Sequence, residues 1–175
     1  ADMSSAAAKE MEQKINPLPH QQVFFTTIQY QAPYDLFTNE TVNLRNANAI
    51  LVCCIANPAP LISHLKEQAK DVHELSYPDH HYFLSRDLEE IKAAYDSWAV
   101  EDKIIITTEK DATRLHLHAE KISGWNIPII VLPIAVSVLF DKQQDFDQLV
   151  AGYVAKTITE NNEAFGLPPA INPEP

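Results

Sequence analysis

Glycine is almost absent from this chain: Gly124, Gly152 and Gly166 are the only three in 175 residues. Neither GxxxxGK[ST] nor GxGxxG can be assembled from positions so far apart, so the sequence carries neither a P-loop nor a dinucleotide fingerprint. Cysteine is as scarce. Cys53 and Cys54 are adjacent, and neighbouring residues rarely reach disulfide geometry with each other. There is no CxxC pair, which argues against a structural zinc site, and no metal site is assigned. The two thiols stand in an apolar run, 49–55, and read as reduced core residues suited to a reducing compartment. Positive charge is also short: 13 Lys and Arg against 24 Asp and Glu leave a formal net charge of −11. Binding a nucleic-acid backbone, or docking electrostatically on an anionic membrane, needs a basic face, so neither is expected. The most apolar stretch, 127–140, has 14 residues and holds Pro128 and Pro133, whereas a membrane span needs about 20. Residues 1–16 open Ala-Asp-Met-Ser-Ser and turn charged, unlike a signal peptide.

Apolar residues make up 46% of the chain, enough for one domain with a real core plus some extra elements. Residues 4–15 read as a helix opened by a serine and stopped by Asn16-Pro17-Leu18-Pro19. Residues 23–30, β-branched and aromatic, read as a strand ended by Pro33. A second extended piece near 36–37 or 41–44 would complete a small antiparallel ribbon. From residue 49 the rhythm changes. Apolar strands are expected over 49–55, 72–77, 103–107, 127–132 and 136–140. Helices are expected after Pro58, over 85–98 with Ser85 as N-cap, over 109–117, and from Phe146 to about Asn161. Strands alternating with helices predict a mainly parallel, three-layer α/β/α domain. The expected division is 1–48 as N-terminal helix and interdomain β-ribbon linker, 49–162 as α/β domain, and 163–175 as an extended or disordered tail.

In a parallel sheet, sites form beyond the carboxyl ends of the strands. That rule selects three segments. In Tyr77-Pro78-Asp79-His80-His81-Tyr82 a carboxylate beside an imidazole can do acid–base work near neutral pH. In an extended loop the two histidines point to opposite sides, so one of them would face a pocket. The plainer reading is a surface turn capped by Asp79. Thr107-Thr108-Glu109-Lys110-Asp111 opens a helix whose free N–H groups suit an anion. The plainer reading there is capping by Thr108, with Glu109 and Asp111 favourable in the first turn. Asn57-Pro58 is a turn and helix start.

Taken together, Ile55-Ala56-Asn57-Pro58, Tyr77-Pro78-Asp79-His80-His81-Tyr82, Thr107-Thr108-Glu109-Lys110-Asp111-Ala112 with Leu115, and Val131-Leu132-Pro133-Ile134 resemble the C-terminal half of the tetraacyldisaccharide 4′-kinases. These enzymes phosphorylate the lipid A disaccharide precursor of Gram-negative bacteria. Pro17-Leu18-Pro19-His20-Gln21 and Phe24-Phe25-Thr26 resemble the stretch that joins the family's two halves, so the likeness covers nearly the whole chain. One departure is Cys54, where the family usually has glycine.

The resemblance implies a chain that begins just after the nucleotide-binding domain. The full enzyme would transfer the γ-phosphate of ATP to the 4′-hydroxyl of a tetraacyldisaccharide 1-phosphate. ATP and Mg2+ would be bound mainly by the preceding domain, with no cofactor expected here and no kinase activity from this part alone. It further implies a peripheral enzyme on the cytoplasmic face of the inner membrane, touching it through an earlier segment. His80 would be catalytic, the partner of an aspartate in the other domain, with Asp79 orienting it. Asn57, Thr108, Lys110 and Asp111 would line the substrate cleft or, for the last three, order the helix start. Two other readings remain: a standalone anionic-ligand-binding α/β module, and a metal-dependent phosphoesterase of the Asp-His-His type.

Overall fold

A computed structural model describes residues 3–165, with side chains to Ile158. In chain order its elements are α1 (Ser5–Ile15), β1 (Thr26–Tyr30), β2 (Tyr34–Asp35), β3 (Asn48–Cys53), α2 (Ala59–Gln68), β4 (Asp71–Ser76), α3 (Ser85–Ser97), β5 (Lys103–Thr108), α4 (Glu109–His116), α5 (Ala119–Ser123), β6 (Ile129–Leu132), β7 (Ile134–Val138) and α6 (Gln143–Phe165). The described residues form two compact units, residues 30–135 and residues 3–29 with 136–165.

The unit of residues 30–135 is a five-stranded sheet in the order β2-β6-β5-β3-β4. β4, β3, β5 and β6 run parallel, and β2 joins the edge antiparallel to β6. In register, Ile50 lies between His73 and Ile105. Every residue of β3 is buried, because helices cover both faces of the sheet. Ala49, Leu51 and Cys53 share one core with Leu61 and Leu65 of α2. Ile50, Val52 and Cys54 share the other with Leu88 and Ile91 of α3, Leu115 of α4 and Ile122 of α5. This two-sided burial is why the sequence reads as unbroken apolar runs rather than alternation. The protein is thus a mainly parallel, three-layer α/β/α fold.

The chain order creates a switch point. From β3 the chain leaves through α2 towards β4, while from β5 it leaves through α4 and α5 towards β6 on the other side. The carboxyl ends of β3 and β5 are therefore neighbours whose continuations diverge, which opens a crevice between them.

In the other unit, Ser4 caps α1 by accepting the Ala7 N–H at 3.2 Å, and Asn16 ends it in the left-handed region at φ 49°. β1 pairs with β7 as a two-stranded sheet, and the Phe24 ring meets Phe146 of α6 edge-on at 5.3 Å.

Several expectations change. The stretch 136–140 was expected to continue the main sheet, but β7 pairs with β1 instead. Only Pro133 separates β6 from β7, and one residue cannot form the crossover of about a dozen that a parallel neighbour requires. The piece expected near 36–37 or 41–44 does not pair with β1. The strand there is β2, and Asp35 turns the chain after it by accepting the Phe37 and Thr38 N–H groups, each at 2.9 Å. The compact units divide near residue 30 rather than 48, since β2 belongs to the sheet and Leu44 and Ala47 to its core. Leu84, not Ser85, is the N-cap of α3. Asp87 supplies the capping bond, accepting the Leu84 N–H at 2.7 Å. α6 runs through Phe165, three residues into the expected tail; residues 166–175 lie outside the described residues.

Candidate functional site

At the switch point the chain bonds to itself through the end of β3. The residue there is Cys54, and its backbone does the work. Its N–H donates to Asp111 Oδ2 at 2.8 Å, and its carbonyl accepts from Lys110 Nζ at 2.9 Å. A glycine would offer the same two groups, so the cysteine leaves this bonding intact. The thiol packs into the core, where burial and then the Asp111 charge push its pKa up to about 12. Cys53 is raised too, chiefly by burial. Both cysteines are free and buried, so neither is expected to react with a thiol-specific disulfide reagent at pH 8 until the chain is unfolded in denaturant. Rapid labelling of the native protein would contradict this burial.

Asp111 is wholly buried. Besides the Cys54 N–H, its Oδ2 accepts the Thr108 hydroxyl at 2.8 Å. Thr108 is the N-cap of α4, and its Oγ1 accepts the Asp111 N–H at 3.2 Å. The third partner is Arg114, whose Nη1 reaches Asp111 Oδ1 at 3.3 Å. Thr108 and Asp111 thus build the helix start and tie it to β3. The Thr107 hydroxyl beside them is buried with no hydrogen-bond partner among the described residues.

Lys110 carries the connection outward. Its ammonium lies 2.7 Å from Asp79 Oδ1, and that hydrogen bond holds the Asp79 carboxyl below its ordinary pKa. Asp79 also accepts the His80 N–H at 2.9 Å. His80 sits in the left-handed region at φ 60°, and its side chain is 75% exposed. Its Nε2 is 3.5 Å from Asp79 Oδ2, and its Nδ1 is 3.5 Å from Arg114 Nη2. Arg114 also places its guanidinium 5.2 Å from the centre of the Tyr82 ring.

His81 turns the other way. Its Nε2 meets Asp87 Oδ2 at 2.8 Å, and its ring stacks on Tyr77 at 5.2 Å. The two histidines do diverge, though through a left-handed residue rather than an extended loop. Asp79, His80 and His81 face Lys110, Arg114 and Asp87 respectively, so they do not converge as a metal-binding Asp-His-His set. No group of three or more His, Cys, Asp or Glu placed to hold a metal ion occurs among the described residues.

The structure therefore brings together Asp79, His80, Thr108, Lys110 and Asp111. Asn57 stays with its own turn, where its Oδ1 accepts the Ala59 N–H at 3.2 Å. Arg114 joins the group and was overlooked in the sequence. The available signal was spacing: it follows Asp111 by three residues and Lys110 by four, which places all three on adjoining helix positions. Chemically, the cluster presents one solvent-facing imidazole on a charge-balanced base whose Asp111–Arg114 pair is largely buried and whose Asp79–Lys110 pair is exposed.

Comparison with known proteins gives the chain a family. The family model described as tetraacyldisaccharide-1-P 4′-kinase matches residues 2–155. A tetraacyldisaccharide 4′-kinase from Bacteroides thetaiotaomicron is 37% identical over 154 residues, covering 81% of this chain and 40% of that protein. One from Bacteroides fragilis is 34% identical over 163 residues, covering 89% and 42%. A crystal structure of LpxK from Aquifex aeolicus in complex with ATP has a TM-score of 0.41 at 17% identity, covering 79% of this chain and 39% of that one. The chain spans about two fifths of the length of the two Bacteroides relatives. With most of its residues matched by one family model, the chain belongs to the tetraacyldisaccharide-1-P 4′-kinase family.

Proposed function

We propose that this chain is the part of a tetraacyldisaccharide 4′-kinase that supplies a proton-accepting histidine to phosphoryl transfer. The complete enzyme moves the γ-phosphoryl of ATP onto the 4′-hydroxyl of a tetraacyldisaccharide 1-phosphate. The observation that carries this reading is His80, exposed at the carboxyl edge of the sheet of a family member, with Arg114 at its Nδ1 and Lys110 holding the adjacent Asp79.

The hydroxyl must lose its proton as it attacks the γ-phosphorus. His80 accepts that proton, acting with an aspartate from the remainder of the polypeptide once the two parts close. Asp79 and Lys110 hold the loop that carries His80, and Asp111 and Thr108 hold the helix that carries Lys110. A base completed only on closure limits transfer of phosphate to water. With three glycines in the whole chain, no phosphate-cradling loop is built here. ATP and Mg2+ are therefore assigned to the remaining length of the polypeptide. There the metal would neutralise charge on the transferring group. No helix among the described residues is long and apolar enough to cross a membrane. In this reading, peripheral attachment to the cytoplasmic face of the inner membrane belongs to a segment outside this chain.

The test is phosphoryl transfer from ATP to tetraacyldisaccharide 1-phosphate. A polypeptide extended to the relatives' full length should catalyse it, and the 175-residue chain alone should not. Transfer by the chain alone would overturn this division of labour, and inactivity of the extended protein would overturn the function itself.

A further inference from the structure

We infer that Arg114 is a positioning residue for His80, fixing the orientation and tautomer of its imidazole through contacts that start in the buried end of β3. This rests on the proposed role of His80.

The arrangement is continuous. The Cys54 N–H fixes one oxygen of Asp111, and the other receives Arg114 Nη1. The second terminal nitrogen of the same guanidinium, Nη2, lies at His80 Nδ1. The group is planar, so anchoring one nitrogen on a wholly buried carboxylate determines where the other points. The Arg114 side chain is only 14% exposed, and Tyr82 flanks the guanidinium, which restricts it further. His80, by contrast, is exposed and has no packing of its own to hold its ring.

The contact also selects a tautomer. A guanidinium can only donate, so the nitrogen facing it must bear the lone pair. His80 Nδ1 is that nitrogen, which leaves the proton on Nε2, facing Asp79 Oδ2 at 3.5 Å. The lone pair of Nδ1 is thereby turned towards Arg114 Nη2. The Arg114 contact, at 3.5 Å, is long for an N–H···N bond and orients the ring without clamping it. Lys110 complements this by holding Asp79, the group on the opposite side of the ring. Arg114 acts through His80.

Two measurements test the inference. In the full-length kinase, Arg114→Ala should lower kcat by about 100-fold, the scale of a misplaced catalytic group, while KM for ATP and for the lipid stays within about twofold. Arg114→Lys should recover little, because it keeps the charge and loses the fork. Added guanidinium ion should restore part of the activity of Arg114→Ala. A KM effect with kcat intact, full activity in the lysine variant, or no effect at all would overturn the inference.

In the 175-residue chain, imidazole 15N resonances report the ring directly and need no activity. In Arg114→Ala and Arg114→Lys the His80 nitrogens and the Tyr82 ring should shift, while His81, which is held by Asp87, stays in place. An unchanged His80 spectrum would overturn the inference. If His80→Asn left turnover at wild-type level, the catalytic reading would fall while this spectrum still decided the Arg114 contact.

Discussion

Replacing Asp111 by alanine is expected to destabilise the 175-residue chain by about 3–5 kcal/mol, the range for breaking a buried ion pair from one side. The carboxylate is wholly buried and serves three donors from three places: the end of β3, the cap of α4 and the second turn of α4. Removing it leaves the Cys54 N–H buried without an acceptor and the Arg114 charge, itself mostly out of water, without its counterion. Asp111→Asn keeps the shape and one acceptor oxygen, but its amide nitrogen must meet a donor in either orientation, Arg114 Nη1 in one and the Cys54 N–H in the other. Its loss should be intermediate, about 1–3 kcal/mol. Urea unfolding followed by circular dichroism decides the matter. An alanine variant within about 1 kcal/mol of the parent would mean that this network does not hold the switch point together.

The second large effect falls on activity and spares stability. In the full-length kinase, His80→Asn should lower turnover by about 10²–10⁴-fold, the usual contribution of a positioned general base. Asparagine is chosen because His80 occupies the left-handed region at φ 60°, which asparagine tolerates better than most residues. An alanine variant would mix loss of the base with backbone cost. The side chain is 75% exposed, so the melting temperature should hardly change. Retained wild-type turnover would remove His80 from the mechanism. A large fall in stability with proportionate loss of folded enzyme would mean that the residue serves the loop rather than the reaction.

What the sequence displayed and what it hid follow from the range of the forces involved. β3, β5 and β6 were legible because both their faces are covered, so residues such as Leu51, Ile105 and Ile130 had to be apolar. α1 was legible because Ser4 caps it locally. β2 was not, since two residues are too few to show a period; it is a strand only because β6 lies beside it. The partner of β7 was hidden for the same reason, because a single proline between β6 and β7 carries no mark of which sheet follows. In the site, the His80 loop and the opening of α4 could be found from residue type and resemblance. The division of labour within them could not. Asp111 reads as a first-turn carboxylate in either role, and only the Cys54 N–H, 57 residues away in sequence, makes it a buried tie. Arg114 reads as an ordinary basic residue in a last helical turn until the loop at His80 is folded against it.

The larger unit occupies one uninterrupted stretch, residues 30–135, while the other is assembled from the chain on either side of it. Near its two ends the larger unit is closed by the Gln31 N–H donating to the Pro133 carbonyl at 2.9 Å. During synthesis, every residue that the α/β sheet needs is translated before α6 begins. The His80 loop and its Asp111 anchor are thus complete in sequence while the first 29 residues still wait for their partners. The order of translation completes the sheet's residues first and those of the composite unit last, so a chain truncated after residue 135 holds every residue of the His80 platform and lacks the second half of the other unit.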